Sequence, residues 1–164
     1  MSRTFVALGS NMNSPASQIM KAFDELDAIP KTKVIRKSSL YRTKPFGYDE
    51  QPDFINAVAE LRTELAPERL LEYLLAIENL HGRERPFPNA PRPLDLDLLI
   101  YGDVRMESES LTLPHPRMHN RGFVLLPLAE IAPDIVIPVP DLQHKTIAQL
   151  AKDCSNQGVT RVDS

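Results

Sequence analysis

The stretch Phe54–Arg62 constrains the fold of this chain more strongly than any other. Every second position carries an apolar side chain, and these are Ile55, Ala57, Ala59 and Leu61. The positions between them carry Phe54, Asn56, Val58 and Glu60. Because successive side chains of a strand point to opposite faces, this two-residue period predicts a strand with one apolar face and one mixed face.

Three other segments are predicted to be strands. Thr4–Leu8 is an apolar run that ends at a turn-forming Gly-Ser-Asn sequence, which is typical of a buried strand. Val34–Arg42 mixes polar and apolar residues without a helical period, and we predict a strand there. Leu94–Tyr101 alternates in the same way as the first segment, with Leu94, Leu96, Leu98 and Ile100 on one face.

Two helices are predicted between these strands. The first runs from Pro15 to about Ala28, with Ser14 available to cap its N-terminus. The second begins at Pro67, and Gly82 lies where a C-terminal cap belongs. Its apolar stripe consists of Leu70, Leu71, Leu74, Leu75 and Ile77.

The resulting order βαββαβ predicts an α+β fold of the ferredoxin-like type. In this fold two helices cover one face of a mostly antiparallel four-stranded sheet, so we expect the other face to stay free for ligands. A C-terminal extension would add a short strand at Ser108–Leu113 and helices at Gly122–Ile131 and Lys145–Lys152. A chain of 164 residues fits a single domain, which we expect to span residues 1–164.

Composition limits the classes of partner. A formal net charge of −3 leaves no broad basic surface to bind nucleic acid or an anionic membrane. No apolar run approaches the roughly 18 residues of a membrane helix, and the N-terminus has too short an apolar run for a signal peptide. A single cysteine, Cys154, suits a reducing compartment. We therefore expect a cytoplasmic protein, and we expect it to be a monomer.

Asp95 and Asp97 are the first candidates for chemistry. Alternation that buries the neighbouring leucines places both carboxylates on the opposite face, about 6.6 Å apart along the strand. Two ionised carboxylates at this distance repel each other, and a hard cation such as Mg²⁺ between them would relieve the repulsion. The spacing therefore favours a metal site with a phosphate substrate, although a pair of solvated acids gives the same pattern.

Five arginines flank this pair in a chain that is acidic overall: Arg83, Arg85, Arg92, Arg117 and Arg121. Guanidinium groups match phosphate oxygens in bidentate fashion, so these residues could form a polyphosphate clamp. A solvated loop face is the alternative. The sequence contains no Gly-x-x-x-x-Gly-Lys-Ser/Thr motif, which argues against a P-loop enzyme.

Other polar and aromatic residues give weaker signals. His115 and His119 have the i, i+4 spacing of zinc ligands, but flanking prolines favour a donor to a phosphate or ribose instead. His81 and His144 are interpreted as surface residues. Phe54 and Asn56 share a face and could bind a flat heterocycle, and a rim Phe beside a capping Asn is equally consistent with the pattern.

Taken in order, the motifs resemble the 6-hydroxymethyl-7,8-dihydropterin pyrophosphokinases of folate biosynthesis, and the match covers nearly the whole chain. In the first half, the motifs that carry the resemblance are Ala7-Leu8-Gly9-Ser10-Asn11, Ser39-Leu40-Tyr41-Arg42-Thr43 and Gln51-Pro52-Asp53-Phe54-Ile55-Asn56-Ala57. In the second half they are 78–83, Pro91-Arg92-Pro93-Leu94-Asp95-Leu96-Asp97 and the segment 113–123.

The resemblance implies transfer of the β,γ-pyrophosphoryl unit of ATP to the hydroxymethyl oxygen of the pterin, with release of AMP. It implies two Mg²⁺ ions bridged by Asp95 and Asp97, which would be catalytic together with Arg83 and Arg92. The residues expected to meet ATP are Glu78, Arg83, Arg92, Thr112, His115 and Arg121, with the backbone beside Leu98 reading adenine.

The resemblance also implies the pterin site. Thr43, Asn56 and the backbone near Phe46 would hold the pterin, and the rings of Phe54 and Phe123 would sandwich it. One departure from the family concerns the loop before the aspartates, which usually contains Arg-Trp-Gly-Pro-Arg and acts as a mobile lid. This chain has Pro86-Phe87-Pro88-Asn89-Ala90-Pro91-Arg92 there and no Trp, and we hypothesise that Phe87 replaces the Trp as an apolar plug.

Two other functions remain open from the residues alone. One is a different Mg²⁺-dependent kinase or nucleotidyltransferase that uses the same Asp-x-Asp strand. The other is a ferredoxin-like binding module without catalysis. RNA binding is disfavoured, because the exposed face of the sheet would carry Asp95 and Asp97, which repel RNA.

Overall fold

The strand predicted from alternation lies at the centre of the sheet. The structure is a computed structural model, and it describes residues 3–12, 14–43, 53–82 and 93–162. Within these residues the strands are β1 Arg3–Ser10, β2 Thr32–Lys37, β3 Tyr41–Thr43, β4 Phe54–Thr63, β5 Asp95–Tyr101, β6 Met106–Glu107, β7 Thr112–Leu113 and β8 Val159–Arg161. The α-helices are α1 Pro15–Asp27, α2 Pro67–Leu80, α3 Gly122–Ile131 and α4 Ile147–Asp153.

The main sheet is antiparallel at every pairing, in the order β5-β1-β4-β3-β8, and β2 also pairs with β4. The four-stranded α+β core predicted from the sequence is confirmed. β6 and β7 form a separate two-stranded hairpin, so the strand predicted at Ser108–Leu113 is confined to β7 and pairs outside the main sheet. The helix predicted at Gly122–Ile131 is α3, with the same bounds.

One face of the sheet packs against α1 and α2. Ile55, Ala57, Ala59 and Leu61 of β4 are buried in this core, as the alternation predicted. The helices contribute Ile19, Ala22, Phe23, Leu26, Leu70, Leu74 and Ile77. At about 25 cal/mol for each Å² of apolar surface removed from water, this burial is the main stabilising contribution to the fold. Leu75, predicted in the apolar stripe, is 37% exposed and lies at its margin.

The opposite face is only partly open, which corrects the expectation that it stays free. Helices α3 and α4 pack over one end of it, where Phe5, Val58 and Ile100 are buried against them. This second core leaves open the end of the face where β1, β4 and β5 carry Gly9, Asn56 and Asp95.

Two irregularities were not predicted. The strand expected at Val34–Arg42 is broken at Ser38, whose hydroxyl accepts a hydrogen bond from the Val58 amide at 2.9 Å in place of a regular ladder bond. In β5 the register against β1 shifts between the pairs Val6–Leu98 and Phe5–Ile100, so Leu99 is an extra residue. The prediction that Ile100 shares a face with Leu98 is wrong, because this bulge moves Ile100 to the other face.

Two predictions about single residues are also wrong. Ser14 precedes α1 as expected, but it has φ of 60° and its side chain makes no cap hydrogen bond. His81 was expected at the surface, whereas its side chain is 2% exposed and hydrogen-bonds to Gln18 and Glu25 of α1. Gly82, by contrast, follows α2 with φ of 90°, as a C-terminal glycine should. None of the helices described is long and apolar enough to cross a membrane.

Candidate active site

A cleft of about 330 Å³ opens on the uncovered end of the sheet. Its floor comes from neighbouring strands, and its walls come from α3 and from residues 147–162, called here the C-terminal segment. The described residues that line it are Ala7, Leu8, Gly9, Thr43, Phe54, Asn56, Asp95, Asp97, Arg121, Phe123, Val124, Gln157 and Val159. The cleft therefore carries both aromatic rings and carboxylates, which together suit a flat heterocycle and a charged group.

Asp95 and Asp97 lie on the cleft side of β5, as the alternation predicted. Asp95 is the register partner of Gly9 and Asp97 that of Ala7. Both are half-buried, so their carboxylates can be reached from the cleft. The intervening Leu96 faces the helical core, and this two-residue period is what directs both acids to one side.

Glu78 supports the strand that carries these acids. It lies on α2, is 3% exposed, and its Oε2 accepts a hydrogen bond from the Leu96 amide at 2.7 Å. Glu78 was predicted to meet ATP, and the structure places it directly behind the backbone between Asp95 and Asp97. A buried carboxylate that accepts a backbone N–H fixes the position of the strand edge.

Asn56 and Thr43 form a polar pair on the adjacent strands. The Asn56 Nδ2 donates to the Thr43 hydroxyl at 3.1 Å, which orients the carboxamide. A Cβ built on Gly9 would lie 3.1 Å from the Asn56 Oδ1, so the glycine leaves room for this side chain. Phe54 lies two residues before Asn56 on the same face of β4, and it is 36% exposed at the rim of the cleft.

Arg121 and Phe123 enter the cleft from the start of α3. Arg121 occupies the N-cap position of this helix, and its guanidinium carbon lies 5.5 Å from the centroid of the Phe123 ring. Such a contact is attractive because the face of an aromatic ring carries negative charge. The two phenylalanines predicted to sandwich a ligand, Phe54 and Phe123, thus line the same cleft.

His115 lies beside β5 and is half-buried. Its backbone N–H donates to the Leu99 carbonyl at 2.8 Å, and this bond holds the backbone of His115 against the bulge of β5. Burial lowers the pKa of the imidazole, and the positive charges of Arg121 and Arg117 lower this pKa further, while Asp95 opposes them. The neutral ring, favoured near pH 7, can donate one hydrogen bond and accept another.

The remaining predicted residues fall in three groups. Thr112 is a half-buried residue of β7, and Leu98 is buried in the helical core, so only its backbone is available at the edge of β5. Arg83, Arg92 and Phe46 lie outside the described residues, as does Phe87. His119 belongs to a short 3-10 turn, Met118–Asn120, and is not one helical turn from His115 as a zinc pair would be.

Six of the described lining residues were not predicted to be functional: Ala7, Leu8, Gly9, Val124, Gln157 and Val159. Gly9 had a usable signal, because a glycine that ends an apolar strand indicates close approach of another group. Gln157 and Val159 had no signal of their own, since they reach the cleft only through the pairing of β8 with β3.

The model of the family described as 7,8-dihydro-6-hydroxymethylpterin-pyrophosphokinase matches residues 5–133. The chain belongs to this family. Proteins named 2-amino-4-hydroxy-6-hydroxymethyldihydropteridine pyrophosphokinase are similar to it along almost their entire length. That of Haemophilus influenzae is 44% identical over 92% of this chain and 94% of its own length, and that of Pseudomonas aeruginosa is 42% identical over 98% and 96%.

The family fold also appears among solved structures. The crystal structure of Plasmodium falciparum HPPK-DHPS wild type with pteroate matches with a TM-score of 0.70 at 16% identity. A structure described as HPPK-DHPS in complex with substrates matches with a TM-score of 0.72 at 13% identity. The match covers 92% of this chain but only 42% and 43% of those chains, and at such identities it shows the fold alone.

The residues present fit a hard divalent cation. Among the described residues no group of three or more His, Cys, Asp or Glu side chains is placed to hold a metal ion together, and the carboxylates that line the cleft are those of Asp95 and Asp97. Two carboxylates suffice for Mg²⁺, which usually keeps several water ligands and takes others from substrate phosphates.

Proposed function

We propose that this chain transfers the β,γ-pyrophosphoryl unit of ATP to the hydroxymethyl group of 6-hydroxymethyl-7,8-dihydropterin, and that it does so in the cleft described above. One observation carries the proposal: the Asp95 and Asp97 pair and the Asn56, Phe54 and Phe123 group line the same cavity. A site for phosphate-bound cations is thereby adjacent to a site for a flat heterocycle. Membership of the pyrophosphokinase family supports this pairing of substrates.

The pterin is assigned to the aromatic side of the cleft. Its ring would lie between Phe54 and Phe123, since offset stacking on aromatic faces is favourable. Asn56 would read the polar edge of the ring, because its carboxamide offers both a donor and an acceptor and is already oriented by Thr43. The backbone near Phe46 is proposed to complete this side.

The two carboxylates are assigned to Mg²⁺, with two ions between Asp95, Asp97 and the ATP phosphates. When bound, the ions would neutralise phosphate charge and align the attacking and leaving oxygens for in-line displacement. Asp95 and Asp97 act as the fixed anchors of this arrangement, because β5 holds them on one face. Glu78 keeps the strand edge in place from behind.

The phosphate side of ATP is assigned to cationic and polar side chains around the aspartates. Arg121 lines the same cleft as the two aspartates, and His115 is close enough to Asp95 for its charge to act on the imidazole pKa. Arg83 and Arg92, which lie outside the described residues, are proposed to contact the phosphates as well. Thr112 and the backbone at Leu98 are proposed to contact the nucleoside. The pterin hydroxymethyl oxygen would bond to the β-phosphorus while the bond from that phosphorus to the α,β-bridging oxygen breaks, so AMP leaves and the hydroxyl proton is lost.

The experiment that tests the proposal is a product analysis. The purified chain should convert ATP and 6-hydroxymethyl-7,8-dihydropterin to AMP and the pterin diphosphate, only with Mg²⁺ present. Formation of ADP or free pyrophosphate instead would indicate a different kinase or nucleotidyltransferase. Asp95→Asn and Asp97→Asn should each lower kcat about 10³-fold or more, whereas Asp103→Asn, an exposed aspartate just beyond β5, should leave it unchanged.

We further propose that the chain works as a cytoplasmic monomer. The proposed substrates, ATP and a pterin, are small molecules. Size-exclusion chromatography with light scattering would test this, and a dimer that retains full activity would contradict the monomer.

A further inference from the structure

We infer that Gln157 is a positioning residue for the pterin, and that it acts by fixing the start of helix α3. This inference rests on the proposed assignment of the pterin to the cleft. The matched family residues end at 133, yet Gln157 and Val159, both beyond that point, line the cleft. The C-terminal segment is thus a wall of the site and not only a cover for the second core.

The carboxamide of Gln157 makes two hydrogen bonds to the turn that leads into α3. Its Oε1 accepts from the Gly122 amide at 2.8 Å, and its Nε2 donates to the Asn120 carbonyl at 3.0 Å. Arg121 lies between these two anchor points, and Phe123 follows them directly. The two bonds therefore fix the backbone on both sides of Arg121.

The bond to Gly122 also supplies a missing helix cap. The first amides of an α-helix have no acceptor within the helix, and a side chain usually provides one. Arg121, at the N-cap position of α3, makes no such bond. Gln157 supplies the acceptor from 35 positions away in the sequence.

The surroundings of Gly122 show how closely the C-terminal segment approaches the start of α3. A Cβ on this residue would lie 3.0 Å from the Gln157 Oε1 and 3.2 Å from the Cys154 carbonyl oxygen. A side chain at residue 122 would therefore push these neighbours away by a few tenths of an ångström. Gln157 and Gly122 are therefore closely packed. A shift of Gln157 would displace the first residue of α3.

The same segment reaches the opposite wall of the cleft. After Gly158, which has φ of +75°, β8 pairs with β3 so that Val159 is the register partner of Thr43. The C-terminal segment thus joins the wall that holds Phe123 to the strand that holds Thr43. Gln157 couples the two sides of the proposed pterin site.

Removal of this amide should weaken pterin binding more than ATP binding. The Phe123 ring is attached to the helix through only two rotatable bonds, so its position follows the backbone. The guanidinium of Arg121 lies at the end of a long flexible side chain and can compensate. Gln157→Ala should therefore raise the pterin Kd, measured by fluorescence in the presence of a non-hydrolysable ATP analogue and Mg²⁺, by about tenfold.

The KM values separate positioning from stability. Loss of folded protein alone would lower the apparent kcat and leave the KM for pterin unchanged, whereas mispositioning raises that KM and changes the KM for ATP less than threefold. Gln157→Glu keeps an acceptor for the Gly122 amide but places a carboxylate oxygen against the Asn120 carbonyl in place of the donor, so it too should raise the pterin Kd, and it is the second variant to measure if the alanine variant does not fold.

Gln149→Ala is the matched control. Gln149 lies in the same C-terminal segment and also caps a helix, since its Oε1 accepts from the Thr146 amide at 2.8 Å, but it is exposed and does not line the cleft. Its replacement should lower stability and leave the pterin Kd unchanged. Wild-type pterin Kd and KM in both Gln157 variants would overturn the inference, whereas failure of the unsubstituted protein to form AMP would overturn the proposed function itself.

Discussion

The Asn56 side chain lies tightly against Gly9, on the side from which a side chain of residue 9 would extend. The two residues are register partners on β4 and β1, and a Cβ at residue 9 would come within 3.1 Å of the Asn56 Oδ1. Because Asn56 is held in turn by the Thr43 hydroxyl, the carboxamide has little freedom to move away. The absence of a side chain at Gly9 is thus part of the proposed pterin site.

Gly9→Ala is expected to raise the KM for the pterin by roughly tenfold, by displacing Asn56, with a much smaller change in the KM for ATP. Asn56→Ala alone should have a similar effect. In a double-mutant cycle the two changes should be strongly non-additive, because the added methyl has nothing left to displace once Asn56 is shortened. Additive effects would show that Gly9 acts on something other than Asn56.

Glu78 is expected to act through the strand behind the aspartates. Glu78→Ala leaves the buried Leu96 amide without this acceptor, which should cost about 1–3 kcal/mol of unfolding free energy, and it should also lower kcat. Glu78→Gln retains an acceptor oxygen and should recover most of both. Urea denaturation and steady-state kinetics measure the two effects.

The exposed Glu72 of the same helix provides the control, since Glu72→Ala should change neither quantity. If Glu78 contributes only a direct contact to ATP, then both Glu78 variants will raise the KM for ATP at unchanged stability. That pattern would contradict a role in supporting β5.

Glu130 of α3 hydrogen-bonds to residues at the break between β2 and β3. It accepts from the Ser39 amide at 3.0 Å, from the Ser39 hydroxyl at 3.0 Å and from the Tyr41 hydroxyl at 2.7 Å. Glu130→Ala should therefore lower the free energy of unfolding by about 2–3 kcal/mol at pH 7. Glu107→Ala, which removes an exposed carboxylate from the separate hairpin, should have little effect.

The contribution of Glu130 should depend on pH. Burial opposes ionisation, but the hydrogen bonds from Tyr41 and Ser39 and the charge of Arg161 outweigh it and lower the pKa of this carboxyl. A lowered pKa in the folded state adds stability above the unfolded-state pKa of about 4.3, and this stability is lost as the pH falls through the folded-state value. The difference in unfolding free energy between the wild type and Glu130→Gln should be constant from about pH 6 to 8 and shrink below about pH 4. A difference that grows on acidification would contradict this assignment.

The pKa of Tyr41 gives a second measure of its hydrogen bond to Glu130. Burial, followed by the hydrogen bond to Glu130 and its negative charge, raises the pKa of the phenol to about 12. Ultraviolet titration of the phenolate, with Tyr41→Phe to assign the transition, should find it near this value. Glu130→Gln should lower the pKa of Tyr41 because it removes the charge, and an unchanged titration would show that burial alone sets it.

Several features were predictable because they depend on local patterns. Alternation in β4 identified the face that packs against α1 and α2, and the same rule placed Asp95 and Asp97 together on one face of β5. The proline at the start of α2 and the glycine after it marked the helix limits within two residues. The order of motifs also led to the family that the comparisons establish.

Other features depend on contacts between distant segments, which no local pattern contains. The bulge at Leu99 changes which face Ile100 occupies, because register is decided by the pairing of β5 with β1 and not by β5 alone. His81 is buried because α1 supplies partners for its ring.

By itself, the amino-acid sequence determined most of the core strands, the helices, the face that carries the two aspartates and the family of the chain, since each follows from residue types at short or ordered spacings. Only the tertiary structure decided how much of the second face stays open and that Gln157 and Val159 complete the cleft. The physical reason is that α3, α4 and β8 reach this face by packing and pairing with residues far away in the chain, and the free energy of those contacts belongs to the assembled sheet.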